Sequence, residues 1–184
     1  MQKWLIASDI HGSAHYCRLL LERFEAEKAD RILLLGDILY HGPRNDLPEG
    51  YCPKEVIKML NPLKDIITCV CGNCDAEVDQ MVLDFNITDR TRIIDIFGLR
   101  VLATHGHHIN IDALPDDRDI DVLIYGHTHI PLKKKAEGIW CLNPGSVSIP
   151  KEDSPHGYII ADRSGFYRKS LDGELCDSLE IGQM

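Results

Sequence analysis

Acid, imidazole and amide side chains recur behind short apolar runs of this chain: Asp9 and His11, Asp37, Asn73, His105, His127 and His129. They lie in the strings Asp9-Ile10-His11-Gly12, Gly36-Asp37, Gly72-Asn73-Cys74-Asp75, Thr104-His105-Gly106-His107 and Gly126-His127-Thr128-His129. Carboxylate oxygens, imidazole nitrogens and a carboxamide oxygen suit hard and borderline divalent cations, with manganese, iron or zinc favoured over copper. A tetrahedral zinc ion takes about four ligands, so this larger donor set fits two ions sharing a bridging carboxylate. Two ions roughly 3.5–4 Å apart clamp an in-line displacement at phosphorus, with a metal-bound hydroxide as nucleophile. Each fragment alone is ordinary, since Gly-Asp after a strand is commonly a turn. Their conjunction in this order carries the signal.

The apolar runs supply the positioning elements. Residues 3–8, 31–35, 66–70, 100–103 and 121–125 are β-branched or aliphatic enough to be strands buried on both faces. The ligand-bearing strings then fall at strand ends, where ligands gather in open α/β sheets, and the glycines permit sharp turns there. Ala14, Cys17, Leu20, Leu21 and Phe24 keep a helical period behind a Ser13 cap. Pro53, Val56, Ile57 and Leu60 mark a second helix that ends at Asn61-Pro62. Val78, Met81, Val82 and Phe85 predict a third. Runs at 132–136, 139–142, 157–161 and 166–171 read as an antiparallel second half joined by turns at Glu137-Gly138 and 163–165. The last dozen residues carry little signal and are expected to fray. Strands alternating with helices make an α/β fold, expected as a single domain over residues 1–184.

Composition narrows the function classes. Twenty Lys and Arg against 29 Asp and Glu leave a formal charge of −9, which argues against an extended nucleic-acid partner. A phosphorylated substrate remains compatible, because divalent ions invert the charge of a carboxylate cluster. No run reaches the roughly 20 apolar residues of a membrane span. Seven irregularly spaced cysteines read as reduced thiols and place the protein in the cytoplasm.

The strings D-x-H (Asp9, His11), G-D (Gly36, Asp37), G-N-x-D (Gly72, Asn73, Asp75), T-H-G-H (104–107) and G-H-T-H (126–129) resemble the signature of the calcineurin-like metallophosphoesterases, extended by Asn143, Pro144, Gly145 and Ser146. Within that superfamily the stretches GDILYHGPRNDLPEGY, GNCDAEVDQM and NPGSVSIPK are similar to small bacterial single-domain phosphodiesterases. The resemblance implies a four-layer α/β/β/α sandwich with mixed sheets. It also implies one ion on Asp9, His11, Asp37 and His129 and another on Asp37, Asn73, His105 and His127, with Asp37 bridging and manganese the expected metal. Asp37, Asn73 and His105 are the expected catalytic members. The implied activity is hydrolysis of a small phosphodiester. The alternative within this fold is a non-catalytic interaction scaffold, which would be expected to have lost ligands.

Many members of the superfamily carry His, able to act as general acid, where this chain has Cys74. A thiol is a poor donor to an alkoxide, which favours diesters with acidic leaving groups over monoesters. The polar, turn-rich segment 40–52 reads as a substrate-facing loop, with His41, Arg44 and Asn45 as candidates and Arg44 suited to phosphate oxygens. Cys74 and His107 complete the expected substrate side. Lys133, Lys134 and Lys135 read as a solvated strand edge, Cys17, Cys69 and Cys141 as core thiols, and a homo-oligomer is compatible with the antiparallel half.

Overall fold

The computed structural model describes residues 2–117 and 119–183, without the Gln183 side chain. Among the described residues, eleven strands form two mixed sheets. The first contains, in spatial order, β11 (Leu175–Glu180), β10 (Gly165–Ser170), β9 (Gly157–Asp162), β1 (Trp4–Ala7), β2 (Arg31–Leu34) and β3 (Ile67–Cys69). Its β1, β2 and β3 are parallel, with Ile6 opposite Leu33, while β9, β10 and β11 run antiparallel. The second sheet is ordered β4 (Thr91–Ile96), β5 (Leu99–Thr104), β6 (Val122–Ile124), β8 (Ile139–Asn143) and β7 (Leu132–Ala136), with a parallel centre and antiparallel edges.

Period-2 alternation explains the layers. Ile6, Leu33 and Leu35 point from the first sheet toward Val101, Val122 and Ile124 of the second, forming the inner core. Leu5, Ala7, Ile32 and Leu34 face the other way and pack on α1 (Ala14–Ala26) and α2 (Pro53–Leu60) through Cys17, Leu20, Val56 and Leu60. Leu102, Leu123 and Cys141 form the outer face of the second sheet, covered by Ile109, Ile111, Leu114 and Ile120. This is the expected α/β sandwich; the covering layer on that outer face consists of turns and extended chain among the described residues. Ser13 caps α1 by accepting from the Tyr16 amide at 3.2 Å, and Cys17, Cys69 and Cys141 are buried as expected.

Two elements differ from the sequence expectation. The third helix is only Glu77–Gln80 (α3), and Val78, Met81 and Val82 are exposed. The Gln80 amide donates to the Leu83 and Phe85 carbonyls and its oxygen accepts from the Ile87 amide. The chain is thereby drawn into an extended course, in which Leu83, Phe85 and Ile87 enter the core alternately. The C-terminus forms β11 rather than fraying, because Leu179 is buried between the sheets and Asp177 pairs with Lys133 at 2.5 Å. The strand β4 gave no sequence signal, with Thr91, Arg92, Ile93 and Asp95 exposed at the edge of its sheet.

Candidate metal centre

Residues at the carboxyl ends of β1, β2, β3, β5 and β6 converge at one end of the sandwich. His11, His105 and His129 share one anchoring scheme. The Nδ1 atoms lie 2.7, 2.7 and 2.8 Å from the carbonyl oxygens of Tyr40, Leu35 and Ile149. Each Nδ1–H donates outward, and each Nε2 is turned into the site. The Nε2 atoms of His11 and His129 are 3.2 Å apart, and Nε2 of His105 stands 3.0 Å from Asn73 Oδ1. Neutral rings at these distances would set lone pair against lone pair, a conflict that a proton on Nε2 or a bound cation relieves.

The carboxylates meet these nitrogens. Asp9 Oδ2 accepts the His127 amide at 3.0 Å, which leaves the buried Oδ1 without a hydrogen-bond partner, 3.5 Å from His11 Nε2 and 3.2 Å from His129 Nε2. Asp37 Oδ1 accepts the Cys74 amide at 2.8 Å, which turns Oδ2 toward His11 Nε2 at 3.7 Å and His105 Nε2 at 3.4 Å. The ligand atoms of Asp9, His11 and His129 lie within 4.8 Å of one another, as do those of Asp9, Asp37 and His105 and those of His11, Asp37 and Cys74. This donor set fits divalent cations. His127 is half-buried, its ring 5.1 Å from that of His105.

The local backbone is strained to achieve this. Asp9, His11, Asp37, His127 and His129 have φ of 60, 49, 56, 63 and 61°, a left-handed region that non-glycine residues enter at a cost of about 1–3 kcal/mol each. Bonds from the surroundings hold them there. The carbonyl of Asp9 accepts the hydroxyls of Ser146 and Ser148 at 2.9 and 3.0 Å. The half-buried Asp75 carboxylate accepts the amides of Asp37, Ile38 and Gly72 at 2.8, 2.8 and 2.7 Å. Gly126 is required for close approach, since a Cβ there would lie 1.8 Å from Ser8 Oγ and 2.6 Å from Asp9 Oδ2.

Electrostatics follow from the same contacts. Burial pushes the Asp9 carboxyl up, but the rings of His11 and His129 outweigh it and hold it well below the usual carboxylate range. Asp37 is likewise pushed up by burial and pulled down further by His105. Burial works against a charged His105 ring, yet Asp37 and Asp9 carry it up to about 9. His107 feels burial and the neighbouring His105, His108 and His127 rings, and falls to about 4.

A cavity of about 460 Å³ opens over the centre, and Arg44, Asn45 and Cys74 are among the residues that line it. His41 is placed elsewhere: it packs edge-on to Tyr40 and Tyr51 at 4.8 and 5.3 Å and is not among the residues lining this cavity. His107 lines a neighbouring recess with Arg90 and Thr91, its ring 5.4 Å from that of His105. Sequence reasoning missed Lys151, which also lines the cavity. It likewise assigned no role to Asp75, Ser146 and Ser148, although their strings were the available signal. Another cavity of about 230 Å³, between β7 and β11, contains none of the candidate ligands.

Residues 3–165 match the calcineurin-like phosphoesterase superfamily domain. The chain belongs to this superfamily and is a hydrolase. Among its relatives is phosphodiesterase YfcE of Escherichia coli strain K12, 46% identical over 162 residues, covering 88% of each chain. A solved structure described as Yfce, a phosphoesterase from E. coli, superposes with a TM-score of 0.93 at 42% identity, covering 97% of this chain and 99% of that one. Phosphodiesterase MJ0936 of Methanocaldococcus jannaschii is 27% identical over 147 residues, covering 76% of this chain and 81% of that one. No helix among the described residues is long and apolar enough to cross a membrane.

Proposed function

We propose that this chain is a single-domain, metal-dependent phosphodiesterase with two ions sharing Asp37. Asp9, His11, Asp37 and His129 would hold one ion, and Asp37, Asn73, His105 and His127 the other. The observation that carries the reading is the position of Asp37 Oδ2, 3.7 Å from His11 Nε2 and 3.4 Å from His105 Nε2, with both rings anchored through Nδ1. When bound, divalent ions lower the pKa of water toward neutrality and take up charge on phosphoryl oxygens. Manganese is the ion we expect, with iron or zinc compatible with the same donors.

The residues of the chain then divide the work. The Tyr40, Leu35 and Ile149 carbonyls fix the tautomers of His11, His105 and His129, so their Nε2 atoms serve as ligands without rearrangement. Arg44 and Asn45 on the cavity wall face the substrate side of the centre, and the Arg44 guanidinium suits an anionic group of the substrate. Cys74 lines the same cavity, and burial with the nearby Asp37 carboxylate pushes its thiol up to about 12. Such a thiol keeps its proton at neutral pH, which favours diesters with acidic leaving groups. The names of the bacterial and archaeal relatives support the same substrate class. The free cysteines accord with a reducing, cytoplasmic location.

The non-catalytic scaffold reading is disfavoured, because every expected ligand is retained. The test is hydrolysis of bis-p-nitrophenyl phosphate and p-nitrophenyl phosphate by metal-stripped protein with added manganese. Manganese-dependent cleavage of the diester, abolished in Asp37→Ala, is expected. A folded protein inactive with every divalent metal would overturn the reading in favour of the scaffold.

A further inference from the structure

Two loops border the cavity, and each is tied to one of the paired histidines. The segment 40–52 is fastened by the Tyr40 carbonyl at 2.7 Å from His11 Nδ1 and stiffened by the Asn45 side-chain amide donating to the His41 carbonyl at 2.8 Å. The segment after β8 is fastened by the Ile149 carbonyl at 2.8 Å from His129 Nδ1 and by the Lys151 amide donating to the His129 carbonyl at 3.1 Å. Each loop places one cation on the cavity wall, Arg44 on the first and Lys151 on the second. Both side chains are exposed, and neither has an ion-pair partner among the described residues. The carboxylate on the cavity wall is Asp37, whose oxygens are already engaged by the Cys74 amide and face the histidines. On a chain of charge −9, an anion in this cavity therefore meets two uncommitted cations besides the metal centre.

A reacting phosphodiester carries a single negative charge, which the metal centre neutralises. A planar guanidinium and an ammonium left over on the wall match a further anion, the guanidinium being able to grip a carboxylate or phosphate through paired N–H groups. We infer that Arg44 and Lys151 form a subsite for a second anionic group of the substrate, so that the preferred substrates are phosphodiesters bearing an additional phosphate or carboxylate on one arm. The subsite lies on the flank of His11 and His129, whose anchoring loops carry the two cations. This rests on the phosphodiesterase reading above and adds the substrate class.

The test uses a matched pair of diesters, 4-nitrophenyl phenyl phosphate and its 4-carboxyphenyl analogue, with manganese-loaded protein. Because both cations are solvent-exposed, a preference of about fivefold in kcat/KM for the carboxylated diester is expected, falling as salt is raised. The preference should drop toward unity in Arg44→Ala and in Lys151→Ala, and Lys151→Arg should restore it. Calorimetric binding of phenylphosphonate and 4-carboxyphenylphosphonate, which contain no scissile ester, should show the same discrimination without turnover. Hydrolysis of both diesters at equal efficiency by the wild type would overturn the subsite and leave the phosphodiesterase reading standing. Hydrolysis of neither would overturn both.

Discussion

Replacing Gly72 by alanine should dismantle the metal centre from a position that is not itself a ligand. A Cβ at Gly72 would lie 2.1 Å from Asp37 Oδ1, 2.4 Å from the Asp37 amide nitrogen and 2.9 Å from Asp37 Cγ. To reach ordinary contact at 3.4 Å, the carboxylate must retreat by about 1.3 Å. The backbone nitrogen in the same contact prevents an escape by side-chain rotation alone. The displaced Oδ1 gives up the Cys74 amide, now at 2.8 Å, and a hydrogen bond to a charged group contributes about 1.5–3 kcal/mol. For a chain of this size the melting temperature should fall by roughly 3–12 °C. A misplacement of about 1 Å at a reacting centre costs on the order of a hundredfold in rate, and manganese affinity should fall with it. Calorimetric titration of metal-stripped protein, melting curves and diester hydrolysis measure the three effects. Gly182→Ala, where a Cβ meets nothing within 4 Å, is the neutral control. A Gly72→Ala protein with wild-type metal affinity and a rate within about threefold of wild type would refute the close approach on which the reasoning depends.

Metal affinity should rise with pH, because cations and protons compete for the same nitrogen atoms. His105 titrates at about 9, with burial opposing its charge and the Asp37 and Asp9 carboxylates winning. Titrations between pH 6 and 8.5 should therefore show tighter binding and fewer protons released as pH increases, and a flat profile would count against proton competition at His105. The folded pKa lies above the unfolded value, so in metal-free protein this group stabilises the fold fully below about 6.5. That contribution is lost as pH rises through about 9; chemical denaturation across the range should show the decline. Finally, Cys74→His should raise kcat/KM toward a monoester with a poor leaving group, such as phenyl phosphate, on the order of a hundredfold by supplying a general acid that titrates near neutrality. Unchanged monoester turnover would mean that leaving-group protonation does not limit the wild type.

Much of the centre is legible in the chain because the ligands follow strands whose apolar runs are short, continuous and closed by glycine. Gly36-Asp37 after residues 31–35 and the Gly-His-Thr-His string after 121–125 announce both a strand end and a donor. The helix expected over Val78, Met81, Val82 and Phe85 shows where periodicity misleads. Spacing alone did not foresee that the Gln80 side chain would satisfy the backbone of residues 83, 85 and 87 and favour an extended course. The strand β11 was illegible for a related reason, as its order comes from pairing with β10 and from Leu179 entering a core built by distant segments.

By itself, then, the amino-acid order determines the chemical types of the donors, their succession and the strand ends that carry them. Those properties depend on local conformational preference and on each residue's own functional group. Only the tertiary structure decides which nitrogen of each imidazole faces the candidate centre, since that follows from carbonyls at Leu35, Tyr40 and Ile149 brought in from elsewhere in the chain. It alone decides that Asp37 Oδ2 stands between two histidines, and that Arg44 and Lys151 share one cavity while His41 turns away against Tyr40 and Tyr51. Contacts between residues far apart in sequence are set by burial and pairing summed over the whole molecule, which no local window records.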